Sequence, residues 1–74
     1  MTQERPFDLL NSVIGKKVII RLKSSMSIRG TVKSFDAHMN VVLENAEELE
    51  DGELKAKLGT LLLRGGNIIF VSPV

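Results

Sequence analysis

The chain contains no cysteine, no tryptophan and no tyrosine, and only two prolines and three phenylalanines among its 74 residues. Without cysteine it forms neither a disulfide framework nor a thiolate metal site, so the fold has no such reinforcement. The shortage of aromatic residues leaves the core to aliphatic side chains. Long apolar runs are missing as well. The longest are Val18-Ile19-Ile20, Val41-Val42-Leu43, Leu61-Leu62-Leu63 and Ile68-Ile69-Phe70-Val71, far short of the roughly 20 residues that span a bilayer. The amino-terminal stretch MTQERPFD is polar and shows no signal-peptide core. These absences predict a soluble, cytoplasmic protein with no membrane partner. Hydrophobic residues still make up 43% of the chain, which excludes disorder by composition.

What is present fits one small domain, residues 1–74. Domains below roughly 70–80 residues seldom stabilise themselves with one core alone. Ordering the chain costs about 1.5 kcal/mol per residue and nearly cancels the gain from burial. With disulfides and cysteine-based metal sites excluded, self-association is the leading way to add buried surface.

Ten Lys and Arg against nine Asp and Glu give a formal net charge of +1, but the sum conceals a segregation. Residues 16–33 hold Lys16, Lys17, Arg21, Lys23, Arg29 and Lys33 and no acid. Residues 34–53 hold Asp36, Glu44, Glu47, Glu48, Glu50, Asp51 and Glu53 and no base. Such blocks predict one basic and one acidic region of surface. They serve to solvate the domain on the plain reading, and to meet phosphates with the basic face on the functional one. The acidic run lacks the D-x-D-x-D-G spacing of a calcium loop, so no metal site and no cofactor are predicted.

One short helix followed by strands accounts for the pattern. Pro6 suits a first helical turn, and Phe7, Leu10, Val13 and Ile14 recur at helical spacing until Gly15, which predicts a helix over about 6–14. Residues 17–23 (KVIIRLK) alternate as a strand, and residues 27–35 form a second in which Gly30 permits a bend or a close backbone approach. A turn at 36–38 leads to a third strand over about 40–48. Asp51-Gly52 carries the chemistry of a tight hairpin, whose two central residues both need positive φ. That signal decides against a helix over 44–58, where Ala, Glu, Leu and Lys are frequent. A fourth strand then runs over 53–63 and, after Gly65-Gly66, a fifth over 68–71, with Pro73 expected to stop the pairing. The predicted class is mainly β: a short amino-terminal helix and a strongly bent five-stranded antiparallel sheet, a small and partly open barrel.

The last two strands locate the expected association. Leu61-Leu62-Leu63 and Ile68-Ile69-Phe70-Val71 are apolar on both faces, whereas a sheet with one solvated face alternates. The final strand would form a sheet edge with no charge to protect it, which invites pairing with a second copy. Head-to-tail pairing gives a ring if it closes and a filament if it does not.

Two segments carry a resemblance. Asp36-Ala37-His38-Met39-Asn40, preceded by Ile28-Arg29-Gly30 and followed by Val41-Val42-Leu43, resembles the first Sm motif, which spans about 17–48 here. Leu63-Arg64-Gly65-Gly66-Asn67-Ile68-Ile69-Phe70-Val71 resembles the second, over about 58–72. With the helix before them and the hairpin turn at 51–52 between them, the likeness to archaeal Sm-like proteins covers nearly the whole chain. The resemblance implies the Sm fold, a small open SH3-like barrel, assembled through the fourth strand of one subunit and the fifth of the next. It further implies a homoheptameric ring that binds uridine-rich single-stranded RNA around its pore, with other RNA-processing proteins as further partners.

It also assigns residues. His38 and Arg64 match the positions that sandwich a base, and Asn40 matches the one that reads the uracil edge. Asp36 matches the brace for that amide and its turn, and Gly65 and Gly66 let backbone groups approach the base. The chemistry is apt, because single-stranded RNA is read by stacking on planar groups and by hydrogen bonds to exposed base edges. One position departs: the family often has Asp where this chain has Gly66, so a side-chain brace on Arg64 from there is missing. Taken singly, each residue has a plainer use as a turn cap, a surface histidine or a strand-ending charge. Three competing functions share parts of the pattern. An oligomeric protein-interaction scaffold would dismiss His38, Asn40 and Arg64. A hexameric RNA-chaperone-like ring would anneal two RNAs. An enzyme would have to rest its nucleophile, base and orienter on Ser34, His38 and Asp36, with no oxyanion site nearby, and none is expected.

Overall fold

The computed structural model describes residues 6–74. Residues 1–5 of the polar amino-terminal stretch, and the side chains of Pro6, Phe7 and Phe70, lie outside the described part. Helix α1 (Pro6–Ser12) is followed by β1 (Lys17–Leu22), β2 (Met26–Phe35), β3 (Val41–Glu50) and β4 (Glu53–Leu63). A single 3₁₀ turn (Gly65–Asn67) then leads into β5 (Ile68–Pro73). All five strands form one antiparallel sheet in the order β4-β3-β2-β1-β5.

The alternation in the sequence sets the faces. Val18 and Ile20 of β1, Ile28 and Val32 of β2, and Val41 and Leu43 of β3 are buried, and Leu10 and Val13 close over them from the amino-terminal side. Register shifts in every strand pairing except β1–β2 bend the sheet around this core. One lies where Asn45 and Ala46 of β3 stand against Gly30 of β2. A Cβ on Gly30 would meet the Ala46 Cα and the Glu44 carbonyl at 3.2 Å, so the expected close approach is present.

The helix ends at Ser12, two residues before the expected 14. Residues 14–16 are drawn away to pair with β2 instead: the Gly15 N–H donates to the Val32 carbonyl (2.7 Å), and the Val32 N–H donates to the Lys16 carbonyl (3.0 Å). The Asp-Gly hairpin forms as its chemistry requires, with φ of 52° at Asp51 and 82° at Gly52. It lets β3 run on to Glu50. At the other end Asn40 is left outside the strand, because its backbone and side chain are engaged in the preceding loop.

Pro73 does not stop the pairing. It stands opposite Val18, and the next residue, Val74, donates its N–H to the Lys17 carbonyl (3.1 Å). Backbone groups alternate in direction along a strand, so Pro73 turns its missing N–H toward the open edge, where an edge strand tolerates proline. The charge blocks also take a different form from the one expected. Pairing β2 with β3 lays basic against acidic, and Arg29, directly opposite Glu47, donates from Nε (3.0 Å) and Nη2 (2.8 Å) to one carboxylate oxygen. The Arg29 guanidinium holds the Glu47 carboxyl below its usual range, with Lys57 and Lys17 assisting. Part of the segregation in sequence is therefore neutralised across one seam, and two separate surface regions do not result there.

The strand order puts β4 and β5 on opposite edges of the sheet. Leu62 on β4 is 63% exposed and Ile69 on β5 is 58% exposed. An apolar cavity of about 300 Å³ opens beside β5, lined by Leu9, Leu10, Met39, Val41, Gly65, Ile68, Ile69 and Val71.

Candidate nucleic-acid interface

The β3–β4 register assembles the site. Val41 pairs with Leu63, so the residues just beyond that pair, Asn40 and Arg64, leave the sheet side by side although far apart in sequence. The loop before β3 is shaped by Asp36. One of its carboxylate oxygens accepts from the backbone N–H groups of His38 (2.8 Å) and Asn40 (3.1 Å). The other accepts from the Asn40 amide Nδ2 (3.0 Å). Backbone bonds from Asp36 N–H to Asn40 and from Met39 N–H to Asp36 close the loop, with Met39 at φ 64°.

Across the loop, the Gly65 N–H donates to the Asn40 Oδ1 at 2.9 Å, joining the two sequence motifs through one side chain. A carboxamide has two N–H donors and two oxygen lone pairs. Asn40 uses one donor on Asp36 and one lone pair on Gly65, and keeps one of each. Turning the amide over would set Oδ1 against the Asp36 carboxylate and Nδ2 against the Gly65 N–H, so both internal bonds fix its orientation.

His38, Asn40, Arg64, Gly66 and Asn67 line one open cleft of about 680 Å³. The structure thus brings together His38, Asn40, Arg64 and Gly66. Gly65 stands at the floor of the loop contact, and Asp36 is a brace that does not line the cleft. The imidazole of His38 makes no hydrogen bond to Asp36, whose bonds go to the backbone and to Asn40, so no nucleophile–base–orienter set forms with Ser34. Asn67 is the lining residue that the sequence reading passed over. It looks like an ordinary turn residue after two glycines, and only its place in the 3₁₀ turn puts it on the cleft.

A model of the LSM domain matches residues 8–73. The chain belongs to the LSM domain family. An snRNP Sm-like protein of Methanosarcina barkeri is 49% identical over 69 residues, covering 93% of this chain and 96% of that protein. The Sm protein of Pyrococcus abyssii, solved in complex with a uridine heptamer, superimposes with a TM-score of 0.93 at 38% identity, covering 96% of this chain and 100% of the other. The SmAP1 heptamer of P. aerophilum gives 0.86 at 46% identity, covering 93% and 92%.

In this LSM domain the two adjacent glycines have different physical roles. A Cβ on Gly65 would overlap the His38 carbonyl and press on the Met39 carbonyl at 3.0 Å, both rigid backbone, whereas one on Gly66 would meet nothing within 4 Å. Gly65→Ala is therefore expected to push the two loops apart and break the Gly65–Asn40 bond, costing about 1–3 kcal/mol of stability by overpacking. Gly66→Ala or Gly66→Asp is expected to leave the melting temperature nearly unchanged. Thermal unfolding of the three variants checks the contrast, and equal tolerance at both positions would contradict the close approach.

The loop has a pH signature too. The Asn40 amide, then the backbone N–H groups of Asn40 and His38, favour the ionised Asp36 carboxylate and lower its pKa from the ordinary 3.8. A depressed acid pKa means that the stabilisation is fully present above the ordinary value and is lost as pH falls through the lowered one. Carboxyl chemical shifts are expected to give Asp36 a midpoint below 3.8, and Asn40→Ala is expected to move it upward. A midpoint at the ordinary value in the native chain would mean that the brace is not formed in solution.

Proposed function

We propose that this LSM domain forms a homo-oligomeric ring, of seven subunits as in its heptameric relatives, and binds uridine-rich single-stranded RNA with one base per subunit. The protein is an RNA-binding ring protein and not an enzyme. The observation that carries the reading is the locked Asn40 carboxamide on the lining of the open cleft. One N–H and one oxygen lone pair remain on it, the donor and acceptor that uracil O4 and N3–H call for. Cytosine offers an amine and a bare ring nitrogen at the same places, and the amide cannot turn to meet them without losing both of its internal bonds. His38 and Arg64 supply the two planar groups between which the base stacks, and the guanidinium also attracts the phosphates.

Ring closure makes a weak pocket useful. A single base gains little from stacking and two hydrogen bonds, but a strand that touches several copies binds each next base at high effective concentration. Assembly through the opposite edges β4 and β5 is supported by their apolar, uncharged character at Leu61-Leu62-Leu63 and Ile68-Ile69-Phe70-Val71 and by the apolar cavity beside β5. Fluorescence anisotropy with labelled uridine and cytidine heptamers tests the function, and uridine is expected to bind far more tightly. Equal binding of the two would overturn the base-reading site and leave the oligomeric scaffold as the better account.

A further inference from the structure

We infer that Asn67 reads the ribose of the bound nucleotide and makes this cleft selective for RNA over DNA; the inference rests on the base-reading site proposed above. The base edge and the sugar leave the pyrimidine ring on opposite sides. With O4 and N3–H held at Asn40, the ring nitrogen that carries the sugar faces away from the Asn40–Gly65 end of the cleft. The remaining polar chemistry of the lining is limited. Asn40 has one donor and one acceptor left, both used by the base, and His38 and Arg64 present their planes. Gly66 has no side chain, and space is open around it. Stacking leaves the imidazole and guanidinium edges free, but apart from Asn40 only Asn67 in this lining offers a donor and an acceptor side by side on one group.

Its backbone is fixed from both sides. The Asn67 N–H donates to the Arg64 carbonyl at 3.0 Å, and the Asn67 carbonyl accepts from the Lys23 N–H at 3.0 Å. The residue is exposed, and no hydrogen bond joins its carboxamide to a described side chain or backbone group. A carboxamide both donates and accepts, and so does a ribose 2′-hydroxyl, the group that distinguishes RNA from DNA. The Asn67 backbone is tied to Arg64 and Lys23 and not to the Asn40–Gly65 contact, which leaves its amide for the sugar, and the fixed backbone limits the entropy lost on contact to that of the side chain.

The test compares uridine, 2′-deoxyuridine and cytidine heptamers on the native chain, Asn67→Ala and Asn67→Ser, with ring size followed by native mass spectrometry. The native chain is expected to prefer ribose over deoxyribose by about threefold to tenfold per contacted nucleotide, the weight of one net hydrogen bond. Asn67→Ala is expected to erase that preference while keeping uridine over cytidine and the ring intact, and Asn67→Ser, which retains a donor and acceptor, to keep part of it. Equal affinity of the native chain for ribose and deoxyribose, or a preference unchanged in Asn67→Ala, overturns the assignment. If the native chain fails to prefer uridine over cytidine yet keeps an Asn67-dependent ribose preference, the base reading falls and the sugar reading stands.

Discussion

Replacing Ile69 by lysine is expected to convert the proposed ring into folded monomers. In the single protomer this side chain is 58% exposed on the β5 edge, so a lysine there is solvated and the core beneath is untouched. In the proposed ring the same edge is covered by β4 of the next subunit, and an unpaired charge buried there costs about 3–5 kcal/mol at every interface. Leu62→Lys, on the opposite edge and 63% exposed, is expected to act in the same way, because each interface uses one edge of each kind. Native mass spectrometry reads the outcome directly, and circular dichroism reports whether the monomer stays folded. Affinity for a uridine heptamer should fall by about a hundredfold or more, because separated pockets lose the benefit of effective concentration. Intact rings in both variants would refute assembly through these edges. Dissociation of only one would show that the edges do not meet each other.

The second large effect is expected from Asn40→Ala. A bidentate match to a base edge discriminates by about 1–3 kcal/mol, or roughly fivefold to 150-fold for each base read. Removing the carboxamide should bring uridine and cytidine heptamers to nearly equal affinity, with the change falling on uridine. Part of the stacking and phosphate attraction from His38 and Arg64 remains, so binding should weaken while the salt dependence persists. The substitution also leaves the Gly65 N–H without its acceptor and Asp36 without its side-chain donor. Ring size must therefore be measured on the same sample. A full uridine preference retained by an intact Asn40→Ala ring would remove Asn40 from the reading mechanism.

Much of this was legible along the chain where a signal is local. Asp51-Gly52 specified the hairpin because few residue pairs adopt two positive φ angles cheaply, and β4 runs over the residues expected, 53–63. Alternation identified the buried positions of β1. The errors came where a distant partner decides. The helix stops at Ser12 because β2, far along the sequence, claims the backbone of residues 14–16. Pro73 continues the pairing because it lies on an edge with its ring nitrogen turned outward, and being on an edge is a property of the sheet order. The charge blocks looked separate because the turn at 36–38 makes β2 and β3 neighbours without announcing the register that sets Arg29 against Glu47.

The candidate site divides in the same way. The resemblance to Sm motifs named His38, Asn40, Arg64 and the two glycines, but nothing in the residues alone links Asn40 to a glycine 25 positions later. Asn67 was missed because a turn residue after Gly-Gly has no distinguishing local signal. The absence of cysteine, aromatic bulk and long apolar runs did determine something lasting: a chain of this length has little to hold it together by itself, and two apolar strands remain to be covered. The tertiary structure decided where those strands go, to opposite edges of one sheet. It also decided which way the Asn40 amide points, since that depends on a carboxylate and a backbone N–H fixed by two different loops. Composition and periodicity act over a few residues and are written in the sequence. Register and edge position arise from the cooperative pairing of all five strands, and exist only once the sheet has formed.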